Sequence, residues 1–249
     1  MDEVTLIIPY YRQPKMLQYQ LAELNQYPPA VQVIIVDDGS PEPALPVIQA
    51  YATPELLTHL RLFKITVDIP WNREECRNLG AHEATTDWMI QLDIDHVLPV
   101  VCIPALLAFQ PHPARWYRFP RSRLGQADET RRKDRLPEGC TFGQIHPHVD
   151  SYLVRTALYW EAGGYDEATF SGVLGGGGEF LERLAKVGQC FLLPEEIRLQ
   201  VVTRHVVADA SDTHCSRDTA PGKERWRALR ARGQTKPTEW LLWPWERVL

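Results

Sequence analysis

The chain has 249 residues, 44% of them hydrophobic, and a formal charge of −5. That length can bury one sizeable core, and the negative balance argues against a protein that coats nucleic acid over its whole surface. Five cysteines without a C-x-x-C pair argue against a disulfide framework and a thiolate zinc site. The average charge hides two basic segments. Residues 114–135 carry eight Arg or Lys against three acids, and residues 223–236 carry six against Glu224, a net of +5 each. Both suit phosphate groups.

Met1-Asp2-Glu3-Val4-Thr5 lacks a basic region and runs straight into an apolar strand, so it does not read as a signal peptide. The longest apolar stretch, Val97 to Phe109, is interrupted by Pro99 and Pro104 and falls short of the ~20 residues of a spanning helix. The expectation is a soluble cytoplasmic protein without a membrane span.

Val4 to Pro9 is a β-branched run, and Val31 to Val36 is a second, closed by Asp37-Asp38-Gly39-Ser40. Both read as buried parallel strands. Between them Met16, Leu17, Leu21 and Leu24 recur at helical spacing, and Pro43 to Tyr51 offers a second short helix. A strand from Leu60 to Val67, a helix from Arg73 to Ala84 and a strand from Trp88 to Leu92 continue the alternation. It predicts an α/β fold: a mostly parallel sheet flanked by helices, binding its ligand beyond the carboxyl ends of the strands. The acidic turns after Val36 and Leu92 fall at that edge.

Past Pro99 the pattern predicts a short helix opened by Pro104, a strand over Trp116 to Phe119, and a long polar, basic loop over 120–147. Order resumes at Ser151 to Val154, with a helix near Ala157 to Ala162, a glycine-rich turn, and a helix from Glu179 to Val187. The aromatic tail Trp240 to Trp245 reads as packing back on the domain, with a dimer contact or a membrane-surface dip as the alternatives.

Asp93-Ile94-Asp95 follows an apolar strand, so alternation points both carboxylates to one side. Hard oxygen ligands there suit Mg²⁺ or Mn²⁺ with a substrate phosphate. An isolated D-x-D is more often a solvated turn, so its neighbours decide. Ile7-Ile8-Pro9-Tyr10-Tyr11-Arg12, Val36-Asp37-Asp38-Gly39-Ser40, Asn72 with Arg77-Asn78-Leu79-Gly80, Asp93-Ile94-Asp95 and Gly163-Gly164-Tyr165-Asp166-Glu167 occur in that order. In order and spacing they resemble the family 2 glycosyltransferases of the GT-A fold, over roughly residues 4 to 205. Compact phage or bacterial members are the most similar, which would place the protein in the cytoplasm of a bacterium or an infected cell.

The resemblance implies a Rossmann-like sheet with a smaller acceptor-side subregion. A donor half would occupy about 1–100 and an acceptor half about 101–205, with 206–249 a basic, Trp-rich extension. It also implies transfer of a sugar, inverting in stereochemistry, from a nucleotide-diphosphate sugar such as a UDP-sugar to a hydroxyl. Pro9 and Tyr11 would border the donor, Asp38 would contact its base or ribose, Arg77 its base or diphosphate, Asp93 its ribose, and Asp95 a Mn²⁺ or Mg²⁺ ion. Carboxylates accept from pyrimidine N–H and ribose hydroxyls, and a guanidinium matches phosphate oxygens. Asp37 to Ser40 is equally a turn with a helix cap.

The proton acceptor is less defined, because the E-D pair usual after the glycine turn is missing. Glu179 is the candidate, and a favourable charge at a helix N-terminus is the competing reading. A second metal ligand would be His214, or His205. His96 could support the metal ligands from behind, and His146-Pro147-His148 reads as a loop or an acceptor-side element. The acceptor is a glycan or small polyol, or hydroxymethylated pyrimidine in DNA held by the basic segments 114–135 and 223–236. A nucleotide-sugar-binding protein without transferase activity is the alternative the missing pair raises.

Overall fold

The β-branched runs form strands β1 (Val4–Tyr10) and β2 (Val31–Asp37), with helix α1 (Pro14–Leu24) between them. Helices α2 (Ala44–Tyr51) and α3 (Pro54–Leu57) lead to β3 (Leu60–Ile65), and α4 (Arg73–Glu83) leads to β4 (Trp88–Gln91). The computed structural model describes residues 1–69, 71–124, 144–210, 218–233 and 236–249. The alternation from the sequence is therefore present in full, with α3 an addition. Thr53 and Pro54 start that extra turn: the Thr53 hydroxyl accepts from the Leu56 N–H, and proline suits a first helical position.

The second half follows as β5 (His96–Val97), α5 (Ile103–Ala108), β6 (Arg115–Arg118), β7 (Arg121–Leu124), β8 (Gln144–Ile145), β9 (Tyr152–Arg155), α6 (Thr156–Glu161), α7 (Glu167–Phe170), α8 (Gly176–Val187), β10 (Gln189–Leu192), β11 (Leu199–Val202), α9 (Ala220–Ala231) and β12 (Trp245–Arg247). The main sheet has the order β10-β6-β9-β4-β1-β2-β3-β12, and β5-β11-β7-β8 form a smaller second sheet. The centre, β4-β1-β2-β3, is parallel, whereas β9 and β12 run antiparallel to their neighbours.

Alternation along the central strands distributes side chains to two cores. Leu6, Ile8, Val33 and Ile35 pack with α1 and α2, while Ile7, Ile34 and Val36 pack with α4, α6 and α8. Because both faces are covered, the strands read as continuous apolar runs rather than as alternating ones. Gly80 lets α4 lie directly on β1, since a Cβ there would fall 3.2 Å from Ile7 Cγ1 and closer still to Cγ2.

Two features depart from the sequence expectation: the loop expected over 120–147 carries β7 and β8 at its ends, its residues 125–143 lying outside the described residues, and the glycine run takes another form. The glycine run is not a turn before a helix: Gly176, Gly177 and Gly178 are the first turn of α8, three residues ahead of Glu179. Glycine in a helix costs ~1 kcal/mol against alanine, so a further contact must favour it there. The tail packs back on the domain, in keeping with its aromatic content, and enters the sheet. β12 pairs with β3, Trp245 packs edge-on against Phe63 at 5.9 Å, and the backbone N–H groups of Leu241 and Leu242 donate to Glu167 and that of Trp243 to Glu75.

Candidate active site

A cavity of about 570 Å³ opens at the carboxyl ends of β1, β2 and β4, and Pro9, Tyr11, Asp38, Arg77, Asp93 and Asp95 all line it. The topology brings them together, since parallel neighbours end at the same edge. Asp37 and Asp38 divide two tasks between them. Asp37 accepts from the N–H groups of Ser40 and Ala44 and so fixes the turn into α2. Asp38 faces the cavity; its Oδ2 accepts from the Asn72 N–H, and burial pushes its carboxyl well above the usual range.

Arg77, fully buried on α4, donates to Asp93 and to Gln91 Oε1 at 3.3 Å. Its guanidinium thus fixes Asp93 while bordering the cavity. Burial opposes the Asp93 charge, but the adjoining His148 and Arg77 outweigh it and hold the carboxyl below its ordinary value. Asp95 lies one step further on, where its carbonyl accepts from the Val202 N–H.

Two histidines complete this corner. Asp93, His96 and His148 each present a ligand atom, all within 4.8 Å of one another. Arg121 Nη1 donates to His96 Nε2 at 2.9 Å, so that nitrogen carries the lone pair and Nδ1–H donates to Ser151 Oγ at 2.6 Å. Burial, then His148, depresses the His96 pKa well below its usual value and keeps it neutral. On His148, Nδ1 lies 3.2 Å from the Asp150 N–H and 3.1 Å from Asp93 Oδ2.

The remaining candidates lie elsewhere. The Glu179 carboxylate is gripped by Arg183, at 2.6 Å to Nε and 2.7 Å to Nη2, and borders a separate cavity beside α9. His205 is exposed and is not among the lining residues of the main cavity. His214 lies outside the described residues. The lining also includes Trp71, Arg73, His148 and Asp150, none of which the sequence marked as a site residue. His148 carried a signal in His146-Pro147-His148, but nothing local ties that segment to Asp93, 55 residues away.

The sequence matches the description "Glycosyl transferase family 2" over residues 5–151, more than half of its length. The chain belongs to glycosyl transferase family 2. No curated protein matches the sequence. Among solved structures, residues 1–349 of S. aureus TarS are similar at TM-score 0.61 and 15% identity, covering 81% of this chain and 61% of that one. A mannosyltransferase from Pyrobaculum calidifontis, in complex with GDP-Man and Mn²⁺, is similar at TM-score 0.56 and 15% identity, covering 92% and 61%. The chain thus spans about three-fifths of the length of either neighbour, and the likeness is one of fold.

Several of this family 2 chain's motif residues serve the architecture. Asn78 donates to the Tyr165 carbonyl and to Glu167, and its Oδ1 accepts from the Tyr165 N–H and the Tyr159 hydroxyl. Asp166 caps α7 by accepting from the Thr169 N–H, and Glu167 holds the tail. These contacts hold the 163–167 turn against α4 and tie the tail to both.

Proposed function

We propose that the protein is a metal-dependent, inverting glycosyltransferase that moves a sugar from a nucleoside-diphosphate donor to a hydroxyl. The observation that carries the reading is the single cavity at the sheet edge lined by Asp38, Arg77, Asp93 and Asp95. Asp38 accepts a hydrogen bond from the base or ribose, and Asp93, set by Arg77, accepts from the ribose. Arg73, also on the lining and paired with Asp150, supplies positive charge toward the phosphates.

The donor set fits a divalent ion. Asp95 and Asp93 offer carboxylate oxygens, and His148 and His96 offer imidazole nitrogens. Imidazole beside carboxylate favours Mn²⁺ over Mg²⁺. When bound, the ion would neutralise charge on the leaving diphosphate. His96 joins such a set only if Arg121 releases its Nε2. The acceptor oxygen bonds to the anomeric carbon, the bond from that carbon to the diphosphate breaks, and a carboxylate of the chain takes the hydroxyl proton.

A glycan or small polyol is the acceptor that this chemistry implies by default. A phosphodiester-rich acceptor such as hydroxymethylated DNA is favoured by one observation: Thr219 lines the cavity, and α9 leads away from it with Lys223 and Arg227 exposed. No helix among the described residues is long and apolar enough to cross a membrane, which is compatible with a cytoplasmic location.

The test is incubation with a nucleotide-sugar panel, Mn²⁺ or Mg²⁺, and acceptors including hydroxymethyl-pyrimidine DNA, read by mass spectrometry. A mass shift that disappears in chelator and in Asp95→Ala is expected. Donor affinity without turnover would leave a nucleotide-sugar-binding protein instead, and full activity in excess chelator would refute the metal.

A further inference from the structure

We propose that Asp150 is the carboxylate that takes the proton from the acceptor hydroxyl, an inference that rests on the transferase reading above. Helix geometry explains why Glu179 is not placed for this. Successive helical residues turn by ~100°, so two residues apart face nearly opposite ways. Gly177 borders the main cavity, and Glu179 correspondingly borders the separate cavity with its carboxylate held by Arg183.

The missing side chain at 177 is compensated from another element. A Cβ there would lie 2.8 Å from Asp150 Cγ and closer still to Oδ1. The Asp150 carboxylate therefore occupies the part of the wall that a side chain on the second residue of α8 would fill. It reaches this place from the segment leading into β9, two residues after His148, and shares the cavity lining with Asp38, Asp93 and Asp95.

Its orientation is fixed. The Tyr165 hydroxyl donates to Oδ1 at 3.1 Å, Arg73 Nη1 donates to Oδ2 at 2.5 Å, and Tyr152 in turn donates to the Tyr165 oxygen at 3.2 Å. A carboxylate has about four lone-pair sites, so two remain after these bonds. The group lines the cavity and is only 1% exposed, so it is shielded from bulk water. In the step, the acceptor O–H bond breaks with its proton passing to Asp150. The oxygen forms its bond to the anomeric carbon, and the electron pair of the carbon–oxygen bond leaves with the diphosphate.

Azide separates proton removal from structural support, because an anionic nucleophile has no proton to lose. With the donor and acceptor found for the wild type, Asp150→Asn is expected to lose 100-fold or more of hydroxyl transfer, the order of a general base. Nucleotide affinity and formation of the glycosyl azide should stay within about threefold of wild type. Hydroxyl transfer at the wild-type rate, or azide rescue confined to Glu179→Gln, would overturn the proposal. If Asp150→Asn does not retain nucleotide, Asp150→Glu decides: a lowered kcat at unchanged donor affinity supports it, and a wild-type kcat refutes it. A wild-type protein that turns over no donor overturns the transferase reading and this proposal together. That result is recognisable because every variant is then equally silent.

Discussion

Gly177 and Gly178 are adjacent in the first turn of α8, and the same substitution should have opposite effects on them. Gly178 is exposed and a Cβ there meets nothing within 4 Å, so Gly178→Ala gains only helix propensity, about 0.5–1 kcal/mol. At Gly177 the same methyl group meets the Asp150 carboxylate, which is short, buried and held by Arg73 and Tyr165. It can move only by giving up those partners. A hydrogen bond to a charged group contributes about 1.5–3 kcal/mol, and separating one member of a buried pair costs about 3–5. Arg73 is 15% exposed and can recover part of this in water, so the net effect after the propensity gain is a loss of about 2–4 kcal/mol. For a domain of this size 1 kcal/mol moves Tm by roughly 2–4 °C. Thermal and urea unfolding should therefore show Gly178→Ala melting about 2 °C higher and Gly177→Ala about 5–15 °C lower. If Gly177→Ala is as stable as the wild type, the carboxylate does not fill the space above residue 177, and the placement of Asp150 on the cavity wall is wrong.

Glu74 is fully buried, with no hydrogen-bond partner on either oxygen among the described residues, and burial raises its pKa to about 7. The folded state thus holds its proton where the unfolded chain has lost it. The contribution to stability is complete below the ordinary carboxylate pKa and falls as pH rises through 7. Glu74→Gln should remove that slope, so the variant's stability relative to wild type improves by a few kcal/mol (of order 1.4 per pKa unit) between pH 4 and pH 8. Parallel stability–pH curves would refute it. At the histidine corner, Arg121→Met should tighten Mn²⁺ binding roughly tenfold by freeing His96 Nε2, and His148→Ala should weaken it by ten- to a hundredfold. Titration calorimetry in which neither variant shifts the affinity would exclude the cluster as the metal site.

Much of the cavity lining at the strand ends was legible because its signals are local. Asp38 and Asp93 each follow an apolar strand run within a few residues, and a parallel sheet brings such ends to one edge. Asn78, Gly80, Asp166 and Glu167 were equally visible as motif residues, but their parts in holding α4, the 163–167 turn and the tail together depend on contacts with distant segments.

The amino-acid order by itself determined the strand–helix alternation, the α/β class and the cavity edge, since apolar periodicity and turn chemistry act over a few residues. The second wall was decided by tertiary structure alone. His148 meets Asp93 across 55 residues and Asp150 meets Gly177 across 27, distances over which no periodicity operates. Even the face of α8 that meets the cavity was hidden, because glycines carry no hydrophobic pattern from which the helix start could be read. Once α8 begins at Gly176, its 3.6-residue turn directs Glu179 to Arg183 and leaves its place on the wall to a carboxylate from another part of the chain.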